Sequence, residues 1–117
     1  MFINLDYQSR IPIYEQIVNC IINYVALGIL KPHEQILSIR ELATTLGINP
    51  NTVKKAYDEL EKRGVIEMLS TKGTFISNDI DNIINDKIEE ELENINKKIN
   101  ELTKLGITKE EILKKLK

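Results

Sequence analysis

The 117-residue sequence contains one cysteine, one histidine and no tryptophan. A single cysteine cannot form an intramolecular disulfide, and together with one histidine it cannot build a His/Cys metal cluster. We expect Cys20 to be a buried structural thiol and His33 to lie in a surface loop. The sequence predicts no metal site and no cofactor, and it identifies no small-molecule effector.

Long hydrophobic runs are missing too. No apolar run approaches the roughly 20 residues that a membrane-spanning helix needs. The first residues mix polar and apolar side chains, unlike a signal peptide. The sequence also shows no glycine-rich phosphate loop and no recognisable pair of catalytic carboxylates. We expect a cytoplasmic protein that is not an enzyme and has no membrane partner.

The net charge of −2 is small and unevenly distributed. Residues 1–78 carry 8 Lys/Arg against 8 Asp/Glu, whereas residues 79–117 carry 8 Lys against 10 Asp/Glu. Because a small DNA-binding domain needs a basic face rather than a basic total, this balance does not exclude a nucleic-acid partner.

The first helix is predicted to begin at Pro12, which suits an opening helical turn because its missing N–H would be unpaired there. Gly28 is predicted to end the helix, and the short run at 35–37 indicates a small strand. Apolar residues spaced three and four apart mark the buried face of the helix: Ile13, Ile17, Cys20, Ile21, Tyr24 and Val25.

Two further helices are predicted with a tight turn between them. Ser38 and Glu41 have the spacing of a capping box at the start of one helix, and Gly47 ends it. Asn49 can cap the next helix, with Pro50 at its first position. The expected core residues of these two helices are Ile39, Leu42, Ala43, Leu46, Val53, Ala56, Tyr57 and Leu60. This pattern is typical of a helix-turn-helix.

After Gly64 the pattern becomes extended. The segments "VIEML" and "TFIS" flank "STKG", which predicts a β-hairpin with Gly73 in the turn. A hairpin after a helix-turn-helix is a wing. The sequence therefore predicts a mainly α fold with a small β-hairpin, a winged helix-turn-helix domain over residues 1–78.

Residues 79–117 have a different character. Between Asp79 and Leu105 there is no Pro or Gly, and apolar residues repeat as a heptad seam. Thr108 and Glu111 then predict the capped start of a short final helix with Ile112, Leu113 and Leu116 on its apolar face. A helix with such an unpaired stripe favours a homodimer, and packing onto its own winged domain is the alternative. The predicted dimerisation residues are Ile84, Ile88, Leu92, Ile95, Ile99 and Leu102.

The polar residues that this fold does not need suggest double-stranded DNA as the partner. The start of the third helix carries Asn51, Thr52, Lys54 and Lys55, and Arg40 lies opposite the buried face of the second helix. Recognition helices read DNA with their amino-terminal residues, where unpaired N–H groups also favour phosphate. Arginine can pair with guanine, and asparagine with adenine.

Residues 12–76 resemble the winged-helix domain of the GntR superfamily of bacterial transcription regulators. The matching segments are "PIYEQI", "SIRELATTLGINPNTVKKAYDELEKRGVI" and "KGTFI". The opening, the "NPNTV" helix start and the short helical tail are most similar to the YtrA-type branch, whose regulators often accompany transporter genes. The resemblance implies a repressor that binds an inverted-repeat operator as a homodimer. The predicted DNA-binding residues are Ser38, Arg40, Asn49, Asn51, Thr52, Lys54, Lys55, Lys72, Gly73 and Thr74.

The chain also departs from the family pattern. Many relatives have Arg in place of Pro50, so we expect a different operator sequence. The usual Gly-Asp after Lys-Pro is His33-Glu34 here. Lys72 is the only cation of the wing, which predicts weaker contact with phosphate.

Two other classes of function fit the sequence less well. A winged-helix protein–protein interaction module would expose an apolar or acidic third helix, which the Asn-Thr-Lys-Lys front argues against. A membrane-surface role for the tail is disfavoured because its polar face is acidic rather than rich in lysine.

Overall fold

The computed structural model describes residues 2–117, which form five helices and three short strands. The elements are α1 (Ile13–Ala26), β1 (Gln35–Ile36), α2 (Ile39–Leu46), α3 (Pro50–Lys62), β2 (Ile66–Leu69), β3 (Gly73–Ile76), α4 (Ile80–Thr103) and α5 (Lys109–Lys115). The mainly α fold with a small β-hairpin is confirmed. The chain divides into two compact units, Met1–Ile83 and Ile84–Lys117, and the division falls within α4.

Helix α1 begins one residue later than predicted, with Pro12 as its N-cap residue. Its fully buried residues are Ile17, Val18, Ile21 and Val25. The prediction that Cys20 is buried is wrong, because its side chain is only half-buried and Sγ lies 3.9 Å from the carbonyl oxygen of Phe2. This partial burial still raises the pKa of the thiol, so little of it is ionised near neutral pH.

The predicted helix-turn-helix is formed by α2 and α3. The Ser38 hydroxyl accepts a hydrogen bond from the Glu41 N–H at 3.1 Å, and the Glu41 carboxylate accepts one from the Ser38 N–H at 3.0 Å. Gly47 ends α2 with φ 67°, a left-handed conformation that glycine adopts without strain. The Asn49 side chain caps α3, and Pro50 occupies its first position.

The three strands form one antiparallel sheet in the order β1-β3-β2. The hairpin differs slightly from the prediction: Gly73 is paired with Leu69 at the end of the ladder, and the turn lies at residues 70–72. The short β1 pairs with the edge of β3 that β2 does not occupy. The pairing continues into the exposed loop that precedes β1, where the His33 N–H donates to Ile76 O at 3.1 Å.

The core of the winged domain lies between α1, α2, α3 and the sheet. The four residues predicted for the inner face of α3 are all buried: Val53, Ala56, Tyr57 and Leu60. Tyr57 is completely inaccessible to solvent, and its hydroxyl donates to the carbonyl oxygen of Leu37 at 2.6 Å. On α2, Leu42 and Ala43 are buried, whereas Ile39 and Leu46 are half-buried. The exposed front of α3 is therefore attached to a well-packed inner face.

The unit Ile84–Lys117 contains most of α4 and all of α5. The Thr108 side chain accepts from the Glu111 N–H at 3.2 Å and so caps α5 as predicted. Only Ile112 of the expected apolar face of α5 is buried, while Leu113 and Leu116 are each 65% exposed. Among the helices of residues 2–117, none is long and apolar enough to cross a membrane.

Candidate nucleic-acid interface

The amino-terminal turn of α3 is exposed and carries polar side chains. Asn49 Oδ1 accepts a hydrogen bond from the Asn51 N–H at 2.8 Å. The helix cap therefore uses the side chain of Asn49 and only the backbone of Asn51. Asn51 is exposed and Thr52 is half-buried. The first turn of α3, which the structure describes in full, contains no acidic residue. The partial positive charge of the helix end is therefore not neutralised locally.

The two lysines that follow have different partners. Lys54 Nζ lies 2.6 Å from Asp58 Oδ2, an ion pair one turn along the same helix. Lys55 Nζ lies 4.1 Å from the centroid of the Tyr14 ring on α1, within the range of a cation–π contact. Both lysines are exposed, but neither extends freely into solvent. The sequence prediction named both lysines and missed Asp58 and Tyr14.

Arg40 is exposed on the first turn of α2. The neighbouring carboxylate of Glu41 is hydrogen-bonded back to Ser38, and these bonds to its charged form hold the pKa of Glu41 below its usual value. Arg40 makes no ion pair with any carboxylate of residues 2–117. Its guanidinium is thus available to an external acceptor such as a guanine edge or a phosphate.

Ser38 lies at the start of the same helix, and its hydroxyl oxygen has a structural role as the N-cap of α2. The hydroxyl group retains a proton that it can donate elsewhere. Ser38 therefore remains a candidate contact, with a capping function that is independent of any ligand.

The wing presents one cation. Lys72 is exposed in the turn of the hairpin and has no ion pair in the part of the chain that the structure describes. Thr74, one of the predicted contacts, is only 6% exposed, because its side chain lies on the buried face of the sheet. We therefore remove the Thr74 side chain from the candidate interface.

Gln35 supports the wing from the neighbouring strand. Its Nε2 donates to the carbonyl oxygen of Lys72 at 3.5 Å. A Cβ atom built on Gly73 would lie 2.5 Å from the same nitrogen, and Gly73 has a φ of 120° that other residues rarely adopt. A glycine at this position thus leaves room for Gln35 beneath the wing turn. No local pattern in the sequence indicates this contact, because it depends on the pairing of β1 with β3.

The predicted seam residues lie along α4. Ile88, Leu92, Ile95 and Leu102 are between 39% and 53% exposed, while Ile84 and Ile99 are half-buried. The acidic and basic side chains of α4 pair with one another, as in Lys87–Glu91 at 3.0 Å and Lys98–Glu101 at 3.3 Å. Helix α4 thus combines a continuous apolar stripe with a charged surface.

The sequence profile of the bacterial regulatory proteins of the gntR family matches residues 13–76. This match includes α1, α2, α3 and the whole sheet, and it covers more than half of the chain. The chain belongs to the GntR family. The predicted membership of this family is therefore confirmed, and its relatives are transcription regulators.

Relatives of this GntR protein include two regulators from Bacillus subtilis (strain 168). The transcriptional repressor YtrA is 51% identical over 75 residues, which cover 64% of this chain and 58% of YtrA. The transcriptional regulator YhcF is 38% identical over 114 residues, covering 96% of this chain and 93% of YhcF. The chain thus covers little more than half of the length of YtrA but almost the full length of YhcF.

Solved structures give the same result for the fold. A transcriptional regulator from Oenococcus oeni superposes with a TM-score of 0.78 at 39% identity, covering 97% of this GntR chain and 94% of that one. The AraR DNA-binding domain, solved in complex with the operator ORE1, superposes with a TM-score of 0.55 at 25% identity, covering 66% and 94%. The winged helix-turn-helix with carboxy-terminal helices is therefore confirmed for this family member.

Proposed function

We propose that this protein is a transcriptional repressor that binds double-stranded operator DNA through the exposed front of α3 and Arg40. The observation that carries the proposal is the exposed amino-terminal turn of α3, which is capped by Asn49 and contains no acidic residue. The exposed Arg40 on α2, which makes no ion pair within residues 2–117, supports it. Helix N-termini and arginine are suited to the negative backbone and the base edges of the major groove.

The proposed contacts have distinct roles. Arg40 and Asn51 can read base edges, while Thr52 can contact a phosphate or a thymine methyl group. Lys54, Lys55 and Lys72 contribute to the attraction of the phosphate backbone. Ser38, Asn49 and Gly73 hold the local backbone that presents these side chains.

The alternative of a protein–protein module is less consistent with the surface of α3. Along this helix, which the structure describes throughout, none of the large hydrophobic side chains is exposed. Interface centres of protein–protein complexes are enriched in aromatic and apolar residues. The polar and charged outer face of α3 therefore favours DNA over a protein partner.

We further propose that residues 79–117 form a dimerisation tail and that the dimer binds an inverted repeat. The apolar stripe of α4 is about half exposed in the single chain, and soluble proteins rarely leave such a continuous stripe uncovered. A heptad spacing suits a second copy of the same helix. Two recognition helices held about 34 Å apart would read half-sites one turn of DNA apart.

We propose that the protein acts in the cytoplasm and represses transcription by blocking the access of polymerase to a promoter. The similarity to the repressor YtrA supports this proposal. We also propose that its operator lies near transporter genes, as the YtrA-type resemblance of the chain implies. A genomic search with the selected operator sequence would test this location.

Selection of bound sequences from random DNA duplexes tests the proposal directly. We expect recovery of two inverted half-sites whose centres lie about 10 base pairs apart. Arg40→Ala should weaken binding to the selected duplex by about 10- to 100-fold, because an arginine pair with a base contributes about 1–3 kcal/mol of discrimination.

Arg63→Ala is the matched control, because Arg63 lies at the far end of α3 in an ion pair with Glu59. This variant should bind the selected duplex nearly as well as the wild type. Selection that recovers no shared sequence, or equal losses from Arg40→Ala and Arg63→Ala, would contradict sequence-specific binding through Arg40.

A further inference from the structure

Asp58 is a carboxylate on the outer face of the recognition helix. It is exposed, and it lies seven residues after Asn51 and four after Lys54, spacings that place all three side chains on neighbouring positions of one helical face. Its Oδ2 lies 2.6 Å from Lys54 Nζ, and the two side chains are 49% and 61% exposed. A negative charge thus lies on the surface that we propose enters the DNA groove.

The other candidate cations are not neutralised in this way. Arg40 and Lys72 make no ion pair within residues 2–117, and Lys55 rests on the Tyr14 ring. The second ion pair of α3, Arg63–Glu59 at 2.9 Å, lies at the carboxy-terminal end of the helix. Among the four candidate cations Arg40, Lys54, Lys55 and Lys72, only Lys54 forms an ion pair with a carboxylate of residues 2–117.

An ion pair of this kind competes with DNA. Lys54 can contact a phosphate only by opening or sharing its bond to Asp58, and the carboxylate itself repels the phosphates. Because exposed ion pairs are weak, DNA can displace this one, so the carboxylate reduces affinity without preventing binding. The reduction is larger for unrelated DNA, because there a free Lys54 could contact whichever phosphate lies nearest, whereas on the operator the base contacts fix the register of α3.

We propose that Asp58 is a specificity-determining residue, which holds Lys54 in the free protein and suppresses binding to DNA irrespective of sequence. Operator binding then depends on the base contacts of α3 and on Arg40. The proposal rests on the function proposed above, because it requires α3 to face DNA.

The experiment compares Asp58→Asn with Glu59→Gln, which removes the same charge from the other ion pair of α3. Fluorescence anisotropy would measure binding of the full chain to the selected duplex and to an unrelated duplex of equal length, over a series of salt concentrations. We expect Asp58→Asn to bind the unrelated duplex about five- to tenfold more tightly at 0.1 M salt, with a salt slope steeper by about 0.9, the value for one added phosphate contact.

The gain on the selected duplex should be smaller, so the ratio of the two affinities falls, while Glu59→Gln should change either affinity by less than about twofold. The gain should fall to less than about twofold when Asp58→Asn is combined with Lys54→Met, because no lysine is then released and only the repulsion between the carboxylate and the phosphates is removed. Thermal unfolding of each variant checks that the fold is retained.

Three results would overturn the proposal: equal gains from Asp58→Asn and Glu59→Gln, weaker binding by Asp58→Asn, or a gain that is undiminished in the absence of Lys54. These results leave the proposed function intact as long as the wild type prefers the selected duplex. If the wild type shows no such preference, the proposed function fails, and the role of Asp58 fails with it.

Discussion

Tyr57 connects the inner face of α3 to the segment that leads into α2. Its ring is completely buried, and its hydroxyl donates to Leu37 O at 2.6 Å, one residue before the cap of α2. Burial raises the pKa of Tyr57 well above its usual value, and the negative charge of Glu41 raises it further. The orientation of α2 relative to α3, and hence of Arg40, is coupled to this one hydrogen bond.

Tyr57→Phe should lower the free energy of unfolding by about 1–2 kcal/mol at pH 7, because the carbonyl of the half-buried Leu37 loses its partner. The folded protein has the higher tyrosine pKa, so the stability that the neutral hydroxyl contributes is fully present below about pH 10 and is lost as the pH rises above it. Urea unfolding of wild type and Tyr57→Phe between pH 7 and pH 11 measures this, and the difference between them should shrink above pH 10.

Tyr7→Phe is the control for this measurement, because Tyr7 is 69% exposed. It should unfold like the wild type across the same pH range. A difference between wild type and Tyr57→Phe that stays constant up to pH 11 would mean that Tyr57 is not held in its neutral form by the fold.

Local spacing accounts for only part of the chemistry at this scale. The Lys54–Asp58 pair follows from residues four apart on a helix and could have been predicted from the sequence. The contacts of Tyr57 with Leu37, Lys55 with Tyr14, and Gln35 with the wing join residues that are 20 to 41 positions apart in the chain. They depend on how the elements pack, which no local pattern specifies.

At the scale of elements, the start of α2 combines a structural and a proposed binding role in Ser38. Ser38→Ala should lower stability by about 1 kcal/mol, because the cap of α2 is lost. Ser38→Asp should keep near wild-type stability, since aspartate is also a good N-cap, yet it should weaken DNA binding by placing a negative charge beside Arg40.

Thermal unfolding and anisotropy on the selected duplex measure the two effects separately. A Ser38→Asp variant that binds DNA as tightly as the wild type would show that the start of α2 lies away from the DNA surface. A loss of stability equal to that of Ser38→Ala would show instead that the aspartate does not replace the cap.

The elements themselves were predicted well because their signals are local. Each helix that the structure shows was expected from its cap, its apolar period or its terminating glycine, as with Ser38, Asn49 and Gly47. The exposure of individual strand residues was harder to predict. Thr74 and Ile76 are buried while Phe75 between them is half-buried, because alternate residues of a strand lie on opposite faces of the sheet.

At the scale of the whole molecule, charge and apolar surface are distributed between two units. Residues 1–78 carry no net charge, and Arg40 and Lys72 make no ion pair within residues 2–117, which is consistent with the proposed binding that depends more on base contacts than on total charge. The excess of acidic residues in 79–117 comes from Asp79 and Asp81, whereas the unit Ile84–Lys117 is neutral and carries the exposed apolar stripe of α4. The heptad spacing of apolar residues in the sequence predicted this stripe, whereas the second copy of the chain that would cover it stays a prediction.

The homodimer can be tested by a single charge in the seam. Ile95 is 53% exposed and lies in the middle of the stripe, so a dimer would bury it against the partner copy. Ile95→Glu would place a carboxylate in that apolar contact from both chains, at a cost of several kcal/mol. We expect the dimer dissociation constant to rise more than about 100-fold. Sedimentation equilibrium over a range of protein concentrations measures this directly.

Asn94→Glu is the matched control, because it adds the same charge at the adjacent exposed position outside the seam. It should remain dimeric and bind the selected duplex like the wild type. Ile95→Glu should retain its helix content but lose most of its affinity for a two-half-site duplex, because each winged domain would then bind alone. If Ile95→Glu still forms the dimer, the stripe of α4 is not the interface, and the spacing of the half-sites must be set by another surface.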